Sequence, residues 1–220
     1  MQNEKNFGWL LIALLVFMIG VPVLDQFNFM PPEIMAALLT SWVLAVGVWS
    51  LKGFAGYFKV GIALAATGVV LQILSIKVEA IPVILGASAA TIGFLLLAVR
   101  CTFVKVAFGK AVNVNRLVGA VSLYLLLAIL WAEAYSLTET LSPGSISGLP
   151  NEGAGGYLSD IIYFSFVTMT TLGYGDIVPV SPIARALAYI QAAFGQFYIA
   201  ILVAGLVSVY ISHRNESRPN

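Results

Sequence analysis

The sequence predicts an all-α membrane protein with six transmembrane helices, and its composition and hydropathy pattern carry that prediction. Of the 220 residues, 60% are hydrophobic and 10% are charged, and the mean hydropathy is +0.96. A soluble domain of this size does not need so much apolar surface. Apolar runs of about 17–25 residues, the length that crosses a bilayer, recur along the chain at residues 8–24, 34–51, 60–76, 80–99, 117–135 and 184–212.

A further apolar run, residues 158–170, is too short to cross a bilayer as a helix. It leads directly into a glycine-containing stretch that precedes the last long apolar run. Irregular backbone at membrane depth is tolerated only where it is buried in protein or lines a cavity. We therefore predict that residues 158–170 form a re-entrant helix and that the loop after it lines a cavity.

The charged residues orient the predicted helices. With the N-terminus in the cytoplasm, nine of the 11 Lys and Arg residues fall on the cytoplasmic side, and eight of the 10 Asp and Glu residues fall outside. An excess of Lys and Arg in cytoplasmic loops is the usual bias of membrane proteins. The pattern predicts a multi-pass protein of the cell membrane with both termini in the cytoplasm. The net charge of +1 and the lack of a basic tract give no indication of nucleic-acid binding.

Three regions follow from the spacing of the apolar runs. Residues 1–99 form four closely spaced helices, and residues 116–220 form a helix, a polar outer loop, the re-entrant helix and a final helix. Between these regions, residues 100–115 carry apolar side chains at helical spacing with Lys105 and Lys110 beside them. This pattern predicts an amphipathic helix that lies on the cytoplasmic surface of the membrane.

The stretch Thr-Leu-Gly-Tyr-Gly-Asp at residues 171–176 resembles the selectivity filter of potassium channels. In such a filter, backbone carbonyls replace the water shell of the ion. Gly173 and Gly175 suit this role because glycine accepts the positive φ values that bring successive carbonyls to one side. The resemblance implies that K⁺ is the permeant ion, that no cofactor is needed, and that the ion ligands are the carbonyls of Thr171, Leu172, Gly173 and Tyr174.

From Leu126 onward the chain resembles the pore domain of six-helix tetrameric potassium channels, above all small bacterial channels of this kind. One chain supplies one filter strand, so the resemblance implies a homotetramer around a central axis, surrounded by membrane lipids. It also implies a location in the bacterial inner membrane. The re-entrant helix then becomes the pore helix, and the loop after it becomes the filter.

Residues beside the filter extend the resemblance. Tyr163 and Phe164 occupy the positions of paired tryptophans whose rings surround the filter tyrosine, here Tyr174. We expect the Tyr163 hydroxyl to reach Asp176 behind the filter. Glu133, in Leu-Trp-Ala-Glu-Ala near the end of the fifth helix, corresponds to a glutamate that bonds to backbone near the outer pore. The alternative for Glu133 is an acid that reaches the water at the membrane surface.

Gly195 follows Gly175 by twenty residues, which is the usual spacing of the gating hinge in the family. Close helix packing is the alternative explanation for Gly195, and also for Gly205 further along. Gln196 could hydrate an ion below the filter or bond to a neighbouring helix. With a hinge at this glycine and an α-helical repeat, the positions implied for the cavity and gate are Gly195, Gln196, Ile199, Val203, Gly205 and Val207.

The six predicted helices suggest a voltage sensor, but the residues argue against one. Residues 80–99 contain no charged side chain, and Arg100 stands at the cytoplasmic end of this run. Moving one charge across the field supplies about 2.3 kcal/mol per 100 mV. With almost no charge to move, steep voltage dependence is not expected.

Three rival functions need a different sequence. Potassium uptake transporters carry four degenerate pore loops in one chain, whereas residues 171–176 form a single intact motif. Poorly selective cation channels usually lack the equivalent of Tyr174 or Gly175, and an intact filter argues against a non-conducting assembly protein. The sequence shows no metal cluster, catalytic triad or phosphate loop, so it predicts neither an enzyme nor catalytic residues.

Overall fold

A computed structural model of the chain describes residues 6–27, 31–50, 55–78, 80–108, 113–149 and 158–216. Within them the fold is helical apart from two short paired strands. The helices are α1 (Asn6–Gln26), α2 (Pro32–Ser50), α3 (Ala55–Lys77), α4 (Ile81–Phe108), α5 (Val114–Leu141), α6 (Leu158–Met169), α7 (Pro182–Phe197), a π-helical segment (Tyr198–Val203) and α8 (Ala204–Glu216). The strands are β1 (Ile146–Ser147) and β2 (Val178–Pro179).

Within the described residues, five helical stretches are long and apolar enough to cross a membrane. They are α1, α3, α4, α5 and the continuous run from α7 through the π-helical segment into α8. The remaining predicted span, residues 34–51, corresponds to α2. This helix has 19 residues, and its crossing of the membrane stays a prediction. Helix α6 has 12 residues and is therefore about 18 Å long, which is shorter than the hydrocarbon core.

The predicted surface helix at residues 100–115 is wrong as a separate element. Helix α4 continues without a break to Phe108, because neither glycine nor proline interrupts residues 94–108. Helix α5 then begins after Asn113, whose side chain accepts a hydrogen bond of 3.0 Å from the Arg116 backbone N–H. The Arg116 guanidinium donates back to backbone carbonyls of the last turn of α4, those of Val106 and Ala107.

Helix α5 also runs further than the sequence predicts, to Leu141 rather than residue 135. The polar residues of this extension bond within the helix. The hydroxyl of Thr138 donates to the carbonyl of Ala134, and that of Thr140 donates to the carbonyl of Ser136. Since these hydroxyls are satisfied by the preceding turn, the helix tolerates them, and the outer loop begins six residues later than expected.

The first four helices rest on the second half of the same chain. Helices α1 and α4 both pack against α5, α5 packs against α6, and α6 packs against α7. Phe94 and Leu95 of α4 are fully buried. Gly119 of α5 admits the ring of Phe7, which would lie 2.8 Å from a β-carbon at that position. The N-terminal helices α1 and α4 therefore pack against α5, which in turn supports the helices of the site described below.

Candidate functional site

The loop after α6 has an unusual backbone at every second residue. The φ angles are +59° at Thr171, +56° at Gly173 and +84° at Gly175. Among the described residues, Thr171 is the one non-glycine with a positive φ. Alternation between left-handed and ordinary conformations turns successive carbonyls toward the same side of the strand. The two glycine values follow the expectation from sequence, and the Thr171 value adds strain of a kind that clusters at functional sites.

This loop is tied to α6 through its N–H groups and exposed elsewhere. The N–H of Thr171 donates to the carbonyl of Thr168 at 3.0 Å, and that of Leu172 donates to the carbonyl of Val167 at 2.9 Å. All residues from 171 to 176 are exposed in the single chain, with Tyr174 at 69%. Residues 171–176 therefore lie on the surface of the single chain, where other copies of the chain could approach them.

At the outer end of the loop, the Tyr163 hydroxyl donates a 2.7 Å hydrogen bond to Oδ2 of Asp176, as the sequence predicts. This bond is the main reason why the pKa of the Asp176 carboxyl lies below its ordinary value. Phe164 points away into the protein and is buried. Its ring contacts that of Tyr135 edge-on, with centroids 4.8 Å apart.

Replacing Tyr163 with phenylalanine is expected to raise the pKa of Asp176. The hydroxyl favours the charged carboxylate, so its loss shifts protonation to higher pH. The measurement is a titration of the Asp176 carboxyl by ¹³C NMR in wild type and Tyr163→Phe. Tyr189→Phe, a change at an exposed tyrosine of α7, is the control. An unchanged Asp176 midpoint in Tyr163→Phe would show that the hydrogen bond does not form in solution.

A short strand pair fixes the residues that follow the loop. Ile146 pairs with Pro179, and Ser147 pairs with Val178. Beside this pair, Gly148 has φ +93°, and a β-carbon there would lie 2.2 Å from the Asp176 carbonyl oxygen. The outer loop thus packs directly on the backbone at the end of residues 171–176.

The role predicted for Glu133 belongs to Glu139 in the structure. The Glu139 carboxylate accepts hydrogen bonds from the backbone N–H groups of Gly144 at 2.6 Å and Ile146 at 3.0 Å. Glu133 lies half-buried and faces a small cavity, whose lining includes Phe17 of α1. The sequence could not separate the two acids, since they are six residues apart and α5 continues past both.

Glu139→Gln is expected to loosen the outer loop, because it removes a charge and leaves one acceptor oxygen for two donors. Hydrogen bonds to a charged group contribute about 1.5–3 kcal/mol each. Hydrogen exchange at the amides of Gly144 and Ile146 should accelerate by tenfold or more, on the order of 1.4 kcal/mol. Glu133→Gln, the matched control, should leave both amides unchanged. The reverse pattern would restore the prediction for Glu133.

Behind the loop, a buried polar cluster joins three helices. The Gln191 side chain of α7 donates to the carbonyl and hydroxyl oxygens of Ser165 in α6, at 3.0 and 2.8 Å. It accepts a 2.6 Å hydrogen bond from the Tyr135 hydroxyl of α5. The Ser165 hydroxyl in turn donates to the Ala128 carbonyl at 2.6 Å. The sequence analysis missed this cluster, although an amide in an apolar membrane helix is itself a signal because it is costly without partners.

The C-terminal end of α6 is held from two sides. The Met169 carbonyl accepts a 3.1 Å hydrogen bond from the Tyr124 hydroxyl of α5. From the other side it touches Gly195, where an added β-carbon would lie 2.2 Å from the carbonyl oxygen. Close packing is therefore sufficient to require glycine at 195. At Gly205, by contrast, an added β-carbon would meet nothing within 4 Å.

The α-helical repeat used to predict cavity residues does not hold in the last helix. The segment Tyr198–Val203 is π-helical, so its wider turns change which side chains share a face. Ile199 and Val207 are exposed in the single chain, whereas Val203 is half-buried. The segment is anchored by the Tyr198 hydroxyl, which donates a 2.6 Å hydrogen bond to the Ala120 carbonyl.

Gln196 lies at the inner end of the loop. Its Nε2 is 3.4 Å from the Thr171 hydroxyl, a long hydrogen bond. The side chain is exposed in the single chain. Gln196 therefore lies beside the first residue of the stretch 171–176.

Residues 121–212 match the family model described as "Ion channel". The match covers α5 from Val121, α6, the loop and most of the last helix. Over these residues the chain is similar to the ion channel family. The matched region thus includes the loop at residues 171–176 and most of the helices α5, α6 and α7 beside it, and α1–α4 lie outside it.

Several curated relatives match part of the chain. "Two-pore potassium channel 5" of Arabidopsis thaliana is 41% identical over 58 residues, 26% of this chain and 14% of the relative. "Two pore potassium channel c" of Oryza sativa subsp. japonica is 40% identical over 53 residues, 23% of this chain and 11% of the relative. "Inward rectifier potassium channel Kirbac3.1" of Paramagnetospirillum magnetotacticum is 32% identical over 83 residues, 36% of this chain and 24% of the relative.

These matches span less than a quarter of each relative's length. No solved structure gives a significant match to the chain. The activity of the whole protein is therefore a matter for proposal.

Proposed function

We propose that this protein is a potassium-selective channel that conducts K⁺ passively across the membrane. The observation that carries the proposal is the alternating positive φ at residues 171, 173 and 175, within the region that matches the ion channel family model. Carbonyls that face one axis are the ligands that replace the hydration shell of K⁺. The proposed ligands are the carbonyls of Thr171, Leu172, Gly173 and Tyr174, with Gly175 and Asp176 at the outer mouth. The named relatives, which are potassium channels, favour this ion.

The proposed working unit is a homotetramer. One chain contributes one strand, and rings of carbonyls need several strands around an axis. Large apolar side chains of α7 are exposed in the single chain, which leaves an apolar face free for such an assembly. Ile183 is 66% exposed, Tyr189 is 67% exposed and Phe197 is 64% exposed. Other copies and membrane lipids would cover this face.

We further propose that the channel lacks steep voltage dependence. Residues 81–99 of α4 carry no charged side chain. The guanidinium of Arg100 lies 5.3 Å from the centre of the Tyr57 ring in α3. A voltage sensor works by moving several charges across the field, and this helix offers none inside the apolar run. The proposed location is the cell membrane, in bacteria the inner membrane, with both termini cytoplasmic and no cofactor besides the permeant ion.

The test is a flux assay on the purified full chain in liposomes loaded with K⁺ and placed in Na⁺ medium. We expect K⁺ efflux that barium blocks, with Na⁺ at least about a hundredfold less permeant, a preference of about 2.7 kcal/mol. Equal Na⁺ and K⁺ flux would favour a poorly selective cation channel instead. Flux that is absent at all membrane potentials and at several pH values would contradict passive conduction.

Native mass spectrometry of the same sample tests the assembly. The chain has a mass of 23.5 kDa, and we expect a particle of four copies. A monomer or dimer that still conducts K⁺ selectively would contradict the homotetramer.

A further inference from the structure

We propose that Gln191 is a positioning residue for ion selectivity, which clamps α6 between α5 and α7 and thereby fixes the outer end of the filter. The inference rests on the proposed function, because selectivity exists only in a conducting pore. Gln191 itself lies on α7, separated from the filter by α6, and acts through Ser165, Tyr135 and Tyr163.

The Gln191 side-chain amide is fully buried, and both its N–H groups and its carbonyl oxygen form hydrogen bonds. Its N–H groups bond to Ser165 at 2.8 and 3.0 Å, and its carbonyl oxygen accepts from Tyr135 at 2.6 Å. Gln191, Ser165 and Tyr135 all have 0% exposure. A buried amide strongly favours the arrangement that satisfies it, because an unsatisfied donor or acceptor in an apolar interior is costly. The amide therefore sets the spacing of α7 from both α5 and α6.

The same cluster contacts α5 at two levels. The Ser165 hydroxyl donates to the Ala128 carbonyl at 2.6 Å, and Tyr135 lies two helical turns further along α5. Two contact levels restrain tilting of α6 as well as translation. Phe164, next to Ser165, fills the space between them with its edge-on contact to the Tyr135 ring at 4.8 Å.

The hydrogen-bonded cluster of Gln191, Ser165 and Tyr135, called the clamp below, is connected to the filter through consecutive residues of α6. Ser165 and Phe164 face the clamp, while Tyr163 donates the 2.7 Å hydrogen bond to Asp176. Because Tyr163 is only two residues from Ser165, a shift of α6 at Ser165 is expected to move Asp176 as well. Selectivity depends on the number and placement of carbonyl oxygens around the ion, so a looser α6 should admit Na⁺ more readily.

The test compares K⁺ and Na⁺ permeability for full-length variants in liposomes. Gln191→Leu should lower the permeability ratio by about tenfold, equivalent to 1.4 kcal/mol of discrimination, while barium-sensitive flux and assembly remain. Tyr135→Phe and Ser165→Ala each remove one oxygen and should lower the ratio less. These milder variants decide the matter if Gln191→Leu does not assemble.

Two matched controls test whether the effect is specific to this cluster or follows from the loss of any polar contact in the helices. Gln72→Leu removes an amide of α3 that donates to Thr40 at 3.3 Å. Ser122→Ala removes a buried hydroxyl of α5 that donates to the Val118 carbonyl at 2.9 Å within the same helix. Both should retain the wild-type ratio. An equal fall in the controls would overturn the assignment to Gln191.

The double variant Tyr135→Phe with Gln191→Leu tests whether the residues act as one unit. Its ratio should be no lower than that of Gln191→Leu alone, because the two side chains share one hydrogen bond. Fully additive effects would overturn action through Gln191. Hydrogen exchange of the α6 amides supplies a readout that does not need conduction, and it should accelerate in Gln191→Leu.

Failure of the inference and failure of the proposed function look different. A selective wild type, together with clamp variants of unchanged ratio, overturns only the role of Gln191, even if exchange in α6 accelerates. A wild type that does not prefer K⁺ overturns the proposed function and the inference with it.

Discussion

Gly173→Ala is expected to abolish selective K⁺ flux. Gly173 has φ +56°, and an L-residue in the left-handed region costs about 1–2 kcal/mol. In a ring of four strands the same strain would act four times, which amounts to about 4–8 kcal/mol. The strand should relieve this strain by rotating the peptide, which would turn a carbonyl away from the ion path. The measurement is the liposome flux assay with K⁺ and Na⁺ gradients.

Gly144→Ala is the matched control for this prediction. Gly144 also has a positive φ, +83°, and at both glycines an added β-carbon would meet nothing within 4 Å. The local strain is therefore comparable, but Gly144 lies in the outer loop, away from residues 171–176. We expect Gly144→Ala to lower stability by about 1–2 kcal/mol and to retain selective flux. Selective flux retained in Gly173→Ala would contradict the carbonyl-ring hypothesis itself.

Gly195→Ala is expected to destabilise the protein by at least 1–3 kcal/mol, the usual range for about one methylene of overpacking. The added methyl group would lie 2.2 Å from the Met169 carbonyl oxygen and 3.0 Å from its Cγ. Neither helix can move easily, since Tyr124 already holds the same carbonyl at 3.1 Å. Thermal unfolding in detergent, followed by circular dichroism, measures the change.

Gly205→Ala adds the same methyl group ten residues further along the last helix, where it meets nothing within 4 Å. Alanine favours helix over glycine by about 1 kcal/mol, so this control should be as stable as the wild type or more so. The pair separates the two explanations of Gly195. A hinge predicts unchanged stability and altered gating for Gly195→Ala, whereas packing predicts a lower unfolding temperature, so unchanged stability would contradict the packing explanation.

The main features of the helical fold and of residues 171–176 could be read from local sequence. Long apolar runs predict helices because their length matches the bilayer, and five helices of this kind are present in the described residues. Gly173 and Gly175 predict positive φ because only glycine accepts it without strain, and both angles are positive. Tyr163 was expected to reach Asp176, and the 2.7 Å bond is present. Each inference depends on residues close together in the chain.

The errors of the sequence analysis concern boundaries and distant partners. Residues 101–108 have an amphipathic pattern, but nothing in it marks where α4 ends, so they were assigned to a separate helix. Glu133 and Glu139 are both acids near the outer end of α5, and only the path of the outer loop shows that Glu139 meets its N–H groups. The π-helical turn at Tyr198–Val203 has no signature in the residues themselves.

By itself, the sequence determined the helical class, five of the apolar spans and the positive φ angles at Gly173 and Gly175, because these follow from hydropathy and from backbone freedom at glycine. The tertiary structure alone decided which buried side chains join α5, α6 and α7 behind these residues. The Gln191 cluster unites Tyr135, Ser165 and Gln191, which are 26 to 56 residues apart. Partners so distant are chosen by helix packing and by the need to satisfy buried polar groups, and neither is visible in a local pattern.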